Sequence, residues 1–208
     1  MAIPAWGETL LGLAGPAAVL ALVAVVGLDL AGSHVFGAPA SAFDLDAERN
    51  VPSAFSAGLF AVASLAAAGL RRATAAGAPG RTATLALAVL LGWMAIDDLA
   101  MLHERMVGLI DAVHWIVWYL PVVGATIYAA VRVSRVHPEA RGPFIFTFVA
   151  WFASGFIEMA SWDEVRHMQP WGWVLVEETL EMLAALALIL GLVRALRAVT
   201  AAPAPPAT

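Results

Sequence analysis

Six long apolar stretches, separated by short polar breaks, run through almost the whole chain. They cover residues 9–31, 52–70, 81–102, 113–132, 143–159 and 173–194. A transmembrane helix needs about 17–25 predominantly apolar residues to cross a hydrocarbon core about 30 Å thick, and each stretch has that length. The pattern therefore predicts an all-α, polytopic membrane bundle of six transmembrane helices, formed by residues 1–200 as one domain. The Pro- and Ala-rich residues 201–208 are expected to be a disordered tail.

The composition agrees with this pattern. Apolar residues make up 62% of the chain and charged residues 13%, against about 45–50% and about 25% in soluble domains. The mean hydropathy is +0.83. The chain has no cysteine, which excludes disulfides, thiolate metal sites and cysteine nucleophiles. It also has no lysine, which excludes a retinal or pyridoxal Schiff base.

The arginines predict the orientation of the bundle. Eight of the eleven lie beside the second or fourth loop or after the last stretch, and only Arg49, Arg105 and Arg166 lie on the opposite side. Because cytoplasmic loops carry an excess of Lys and Arg, both termini are expected in the cytoplasm. We therefore expect a multi-pass protein of the bacterial inner, or plasma, membrane.

Most acidic residues fall on the opposite, extracytoplasmic side. Only Glu8 and Glu139, of sixteen Asp and Glu residues, lie on the cytoplasmic side, and four of the five histidines lie with the other acids. The positive-inside rule requires no such excess of acid, since Asp and Glu contribute little to topology. Asp29 and His34 close the first stretch, and we interpret them as interfacial polar residues.

Several acids fall inside the predicted helices and share one depth. At 1.5 Å per residue they stand roughly 20–26 Å above the cytoplasmic ends of their helices. These acids are Asp97, Asp98, Glu158, Glu177, Glu178 and Glu181. Ionisable residues inside a membrane are costly and usually face the bundle interior or a wet cavity.

Spacing along the helices indicates why these acids need a partner. Glu177 and Glu178 lie four and three residues before Glu181, so all three share one side of a helix and repel one another. Asp97, Asp98 and Glu158 lie near outward-pointing C-terminal helix ends, where an anion is disfavoured. Either some of these carboxyl groups are protonated or a cation lies among them.

The candidate ligands offer carboxylate oxygens and imidazole nitrogens but no sulfur, and this donor set favours a divalent metal. The histidines favour Zn, Fe or Mn, and Ca and Mg are alternatives. The strongest candidate ligands are Asp98, Glu158, Glu178 and His167. The full predicted set of ligands is Asp97, Asp98, His103, Glu158, Glu164, His167, Glu177 and Glu178. Glu181 or Glu104 is the predicted general base.

The cytoplasmic half of the predicted bundle offers only uncharged polar groups, namely Ser64, Thr82, Thr84, Thr126, Tyr128 and Thr147. This asymmetry favours a site closed at the bottom over a transport pathway. We expect a metal-dependent membrane enzyme that acts at headgroup depth on a lipid or another amphiphile. A divalent cation or proton transporter, and a non-catalytic subunit or sensor of a larger membrane complex, are the alternatives. The sequence does not decide whether the protein is an enzyme or whether it forms a homo-oligomer. No nucleic-acid partner is expected.

Three strings carry a resemblance to other proteins. They are FDLDAERNVPS at 43–53, DDLAMLHE at 97–104 and EETLEM at 177–182. They resemble strings of small multi-span bacterial membrane proteins of unassigned function. The resemblance covers most of the chain, and it implies no activity.

Overall fold

A computed structural model of the protein describes residues 20–29, 31, 51–100, 102, 114–161 and 170–201. Within these ranges the chain forms six α-helices and one short 3-10 helix, and no strand. The helices are α1 (Leu20–Asp29), α2 (Val51–Ala73), α3 (Arg81–Ala100), α4 (His114–Val136), the 3-10 helix Pro138–Ala140, α5 (Arg141–Ser161) and α6 (Trp171–Ala201). The predicted all-α class is confirmed.

Four helical segments are long and apolar enough to cross a membrane: Val51–Ala73, Arg81–Ala100, Pro138–Ser161 and Gly172–Ala201. They coincide with the second, third, fifth and sixth predicted stretches. The described part of the first stretch is the ten-residue α1 with residue 31, and residues 114–132 of the fourth stretch lie within α4. Helix α6 continues to Ala201, so the predicted tail begins at least one residue later than expected; residues 202–208 lie outside the described part.

Helices α2 to α6 pack one against the next in a closed ring. Helix α2 packs against α3 and α6, α4 packs against α3, α5 packs against α6, and α4 and α5 meet over a smaller area. The ring of Phe60 on α2 lies 5.9 Å from that of Trp151 on α5, centroid to centroid. Leu22 and Val25 of α1 belong to the same buried cluster.

The two ends of the bundle differ in charge. One end, here the arginine end, is formed by the C-terminal ends of α2, α4 and α6 and the N-terminal ends of α3 and α5. It carries Arg71, Arg72, Arg81, Arg132, Arg135, Arg141, Arg194 and Arg197. The opposite end, here the acidic end, carries the acids of α3, α5 and α6. This separation agrees with the charge pattern of the sequence.

The half of the bundle next to the arginine end is tightly packed and apolar. Its fully buried side chains include Leu70, Leu87, Leu91, Val133, Leu188 and Leu192, none of which exposes any surface. The buried hydroxyls of Thr84, Thr126 and Thr147 each donate to a backbone oxygen of their own helix, at Arg81, Val122 and Pro143. These hydroxyls are used in hydrogen bonds to the backbone and do not form a polar path through the bundle.

Helix α6 approaches α5 closely at Gly191. A Cβ atom there would lie 2.6 Å from Cε1 of Phe144 and 3.3 Å from the backbone oxygen of Ala140. Phe144 is only 3% exposed, so its ring has no room to move aside. Small residues let helices in a membrane approach closely and gain van der Waals contact.

We expect Gly191→Ala to lower the free energy of unfolding by about 1–3 kcal/mol, because overpacking outweighs the gain of about 1 kcal/mol in helix propensity. Gly155→Ala is the matched control, since a Cβ at that helical glycine meets nothing within 4 Å. Denaturant titration of both variants in detergent measures the difference. A Gly191→Ala protein as stable as the Gly155→Ala protein would contradict the close approach.

Candidate carboxylate site

Three hydroxyl–carboxylate hydrogen bonds join neighbouring helices in the half of the bundle next to the acidic end. Ser56 Oγ on α2 donates to Asp98 Oδ2 on α3 at 2.8 Å. The hydroxyl of Tyr119 on α4 donates to Asp97 Oδ2 at 2.5 Å. On the other side of α2, Ser154 Oγ on α5 donates to Glu181 Oε1 on α6 at 2.7 Å. Five helices thus contribute to these three bonds.

The three bonds lie at similar distances, measured along the helices at 1.5 Å per residue, from arginines of the arginine end. Ser56, Asp97 and Tyr119 stand about 24 Å from Arg72, Arg81 and Arg135, respectively. Ser154 stands about 20 Å above Arg141, and Glu181 about 20 Å above Arg194. We call these six residues, Ser56, Asp97, Asp98, Tyr119, Ser154 and Glu181, the carboxylate layer.

Tyr119 connects the two sides of the carboxylate layer. Besides its hydrogen bond to Asp97, its hydroxyl is within electrostatic range of Asp98 and of Glu181 on α6. A group on α4 therefore interacts with carboxylates of both α3 and α6.

Several acids near this level are deeply buried. Asp97 is 2% exposed and Glu177 9%, and Ser154 of the carboxylate layer is fully buried. Asp29, interpreted from the sequence as an interfacial residue, is also fully buried. Helix α1 places this side chain inside the bundle, although its position near the end of an apolar stretch is typical of interfacial residues. A buried carboxylate must be met by donors or opposite charge, or carry a proton.

The other predicted site residues fall into two groups. Glu158 on α5 and Glu178 on α6 lie half-buried in the half of the bundle that holds the carboxylate layer. His103, Glu104, Glu164 and His167 lie outside the described residues.

The described residues alone do not assemble a metal centre. Across residues 20–29, 51–100, 114–161 and 170–201, no group of three His, Asp or Glu side chains is arranged to hold a metal ion. Their donors at this level are carboxylate and hydroxyl oxygens, which suit hard cations. A carboxylate offers about four lone-pair sites, so one hydroxyl donor does not use up its capacity to bind a cation. The predicted metal centre stays a prediction.

Sequence reasoning missed the three hydroxyl donors. It weighed acids and histidines by depth and did not apply the same count to Ser56, Tyr119 and Ser154. On the predicted helices these hydroxyls stand roughly 17–21 Å above the cytoplasmic ends, close to the acids. The depth count could therefore have identified them as candidates, although not which acid each one binds.

One family model matches residues 10–196, and its description is Domain of unknown function (DUF8692). No characterised protein matches the chain, and no solved structure matches it. The predicted resemblance to proteins of unassigned function is confirmed.

We expect Tyr119→Phe to destabilise the protein by about 1–2 kcal/mol, because Asp97, which is 2% exposed, loses a hydrogen-bond donor. Tyr128→Phe is the matched control at the only other tyrosine, which is 66% exposed; we expect a change within about 0.5 kcal/mol. Denaturant titration in detergent measures both. Equal effects of the two substitutions would rule out a structural role for the Tyr119 hydroxyl.

Proposed function

The chain belongs to this family of unknown function, and we propose a function from its own residues. The protein is a six-span integral membrane protein with an extracytoplasmic pocket of Asp, Glu and His side chains. The pocket binds one or two divalent metals and serves a reaction on a lipid or another amphiphile at headgroup depth.

The observation that carries the proposal is the contrast between the two halves of the bundle. Carboxylates of α3 and α6 meet hydroxyls of α2, α4 and α5 in one layer. The other half is packed with side chains such as Leu87 and Leu188 that expose no surface. Ionisable residues at membrane depth mark functional sites by default, because burying them costs stability that structure alone does not require.

The metal is proposed from the chemistry of the donor set. The described residues supply oxygen donors, and the sequence adds the imidazoles of His103 and His167 with the carboxylates of Glu104 and Glu164. Mixed oxygen and imidazole sites suit Zn, Fe or Mn. A bound metal of this kind would lower the pKa of a water molecule or polarise a substrate oxygen.

The chain's own residues have separate proposed roles. Asp98 and Glu178 would hold the cation, and Glu181, which accepts a hydrogen bond from the Ser154 hydroxyl, would act as the general base toward water. Ser56 orients Asp98 and Ser154 orients Glu181, since each hydroxyl donates to one carboxylate oxygen. A carboxylate held in one rotamer loses less entropy when it binds a cation.

A transport pathway is less well supported. A carrier needs polar or charged groups through both halves of the bundle. In the described half next to the arginine end, the hydroxyl of Ser64 donates to the backbone oxygen of Ala88, and those of Thr84, Thr126 and Thr147 donate to backbone oxygens as well. This arrangement favours a site that opens only toward the acidic end.

The proposed orientation places the arginine end in the cytoplasm. Because the chain has no cysteine, single cysteines report topology without a background. We expect Ser41→Cys to react with a membrane-impermeant maleimide on intact spheroplasts, and Ala76→Cys, in the loop between α2 and α3, to react only after permeabilisation. Labelling of Ala76→Cys on intact spheroplasts, with Ser41→Cys protected, would invert the proposed topology.

We expect the purified protein to hold about one or two equivalents of Zn, Fe or Mn per chain, and the double variant Glu178→Ala, Glu181→Ala to lose them. Glu8→Ala with Glu139→Ala is the matched control, because it removes two acids from the opposite side of the predicted topology. Elemental analysis at equal protein concentration measures all three proteins.

The identity of the metal would indicate the class of reaction. Zn would indicate hydrolysis, and Fe or Mn would be compatible with redox chemistry. Absence of metal from the unmodified protein, loaded with each metal in turn, would remove the enzyme proposal. The carboxylate layer would then be explained by protonated carboxyl groups or by docking within a larger complex.

A further inference from the structure

The arginine end has a large excess of positive charge. Eight arginines lie there, and the only acidic side chain at that end of the described structure is Glu139. Its Oε1 atom lies 3.4 Å from Nδ1 of His137. Across the described residues no arginine forms an ion pair with a carboxylate; the guanidinium of Arg71 donates to the backbone oxygen of Arg81. The guanidinium groups at this end are not neutralised within the described protein.

Close packing brings the helix ends together, so the arginines surround one compact surface. A Cβ at Gly69 of α2 would lie 3.7 Å from Leu196 of α6, and a Cβ at Gly80, before α3, would lie 3.2 Å from Val136 of α4. At Gly191, α6 meets the 3-10 helix between α4 and α5. Five helix ends are therefore held close to one another.

Four of the arginines lie on helix faces that are exposed and apolar. Each is exposed and stands four residues from an exposed large apolar or aromatic side chain, and such residues share a helix face. The pairs are Arg132 with Tyr128, Arg135 with Val131, Arg141 with Ile145, and Arg194 with Leu190. The partners are 66%, 40%, 54% and 46% exposed, respectively. We call these four arginines the arginine girdle.

An exposed apolar side chain with an arginine one turn nearer to the helix end is what a helix presents where it leaves the hydrocarbon core. The apolar side chains lie in the acyl region, and the guanidinium groups extend toward the phosphates of the headgroups. Guanidinium binds phosphate through two parallel hydrogen bonds and is more weakly hydrated than an ammonium group. Arg72 and Arg197 differ, because the residues four positions before them, Ala68 and Val193, are not exposed.

We propose that the arginine girdle binds the phosphate groups of anionic membrane lipids. The binding surface runs over α4, α5 and α6 at the arginine end, and its partner is the headgroup of an acidic phospholipid in the adjoining leaflet. A soluble acidic protein is a poorer match, because the girdle lies on the faces that point toward hydrocarbon. This inference is independent of the proposed metal site.

The test uses the full chain in a neutral detergent and counts bound lipid by native mass spectrometry. The probes are phosphatidylglycerol, phosphatidylcholine with the same acyl chains, and inorganic phosphate as competitor. We expect phosphatidylglycerol to bind in preference, and Arg135→Gln with Arg194→Gln to weaken its binding by about twenty-five-fold, about fivefold for each arginine. The matched control, Arg72→Gln with Arg197→Gln, removes the same charge at the same end and is expected to weaken binding by less than about threefold.

The remaining outcomes overturn the proposal. Equal binding of the two lipids, or an equal loss in the control variant, would mean that no lipid site exists at the girdle. Displacement of lipid by inorganic phosphate at equal concentration would indicate a general anion site. Displacement by polyglutamate at equal charge would indicate a docking surface for an acidic protein. Circular dichroism of all variants verifies that the helices are retained.

Discussion

A carboxylate buried inside a membrane-spanning bundle has to be met by a hydrogen-bond donor or an opposite charge, or carry a proton, because hydrocarbon cannot solvate it. This constraint organises the half of the protein next to the acidic end. Asp98 can accept from Ser56 only if α2 and α3 present these residues to each other, and the Asp97–Tyr119 bond sets α4 against α3 in the same way. The rotation of each helix about its own axis is thereby restricted.

The other half of the bundle is held by a different force. Apolar side chains in a membrane gain little by leaving lipid, so packing depends on close van der Waals contact and on small residues. Gly191 against Phe144 and Gly92 against Ser64 are such contacts. Threonine hydroxyls there donate to backbone oxygens, and Thr147 bonds to Ala184 on α6 as well as to its own helix. Dense packing here closes one side of the carboxylate layer.

The opposite charges of the two ends of the bundle relate its structure to the two interfaces of a membrane. Acids concentrate where helices approach one interface, and arginines where they approach the other. Under the proposed topology, the carboxylate layer faces the outer leaflet and the arginine girdle anchors the bundle to phosphates of the inner leaflet. Stable seating in the inner leaflet would keep the site at a constant depth relative to the outer headgroups.

The sequence by itself predicted which segments are helical and how far along each helix its polar residues lie. Apolar length identifies a span, and a rise of 1.5 Å per residue converts position into depth, so the shared level of Asp97 and Glu181 follows from local geometry. The ends of the helices were predicted less exactly. The last predicted stretch ends at residue 194, whereas α6 continues to Ala201, because the arginines at 194 and 197 can keep their charged groups in water on a helix that extends past the hydrocarbon.

Only the tertiary structure decided which residues meet at a given depth. Nothing local distinguishes Tyr119, which binds Asp97, from Tyr128, which is 66% exposed. Their different roles depend on which neighbour α4 packs against and how it is rotated. Asp29 was assigned to an interface by position and is buried by packing. Partners and burial arise from contacts between helices distant in sequence, and a depth count along one helix carries no information about them.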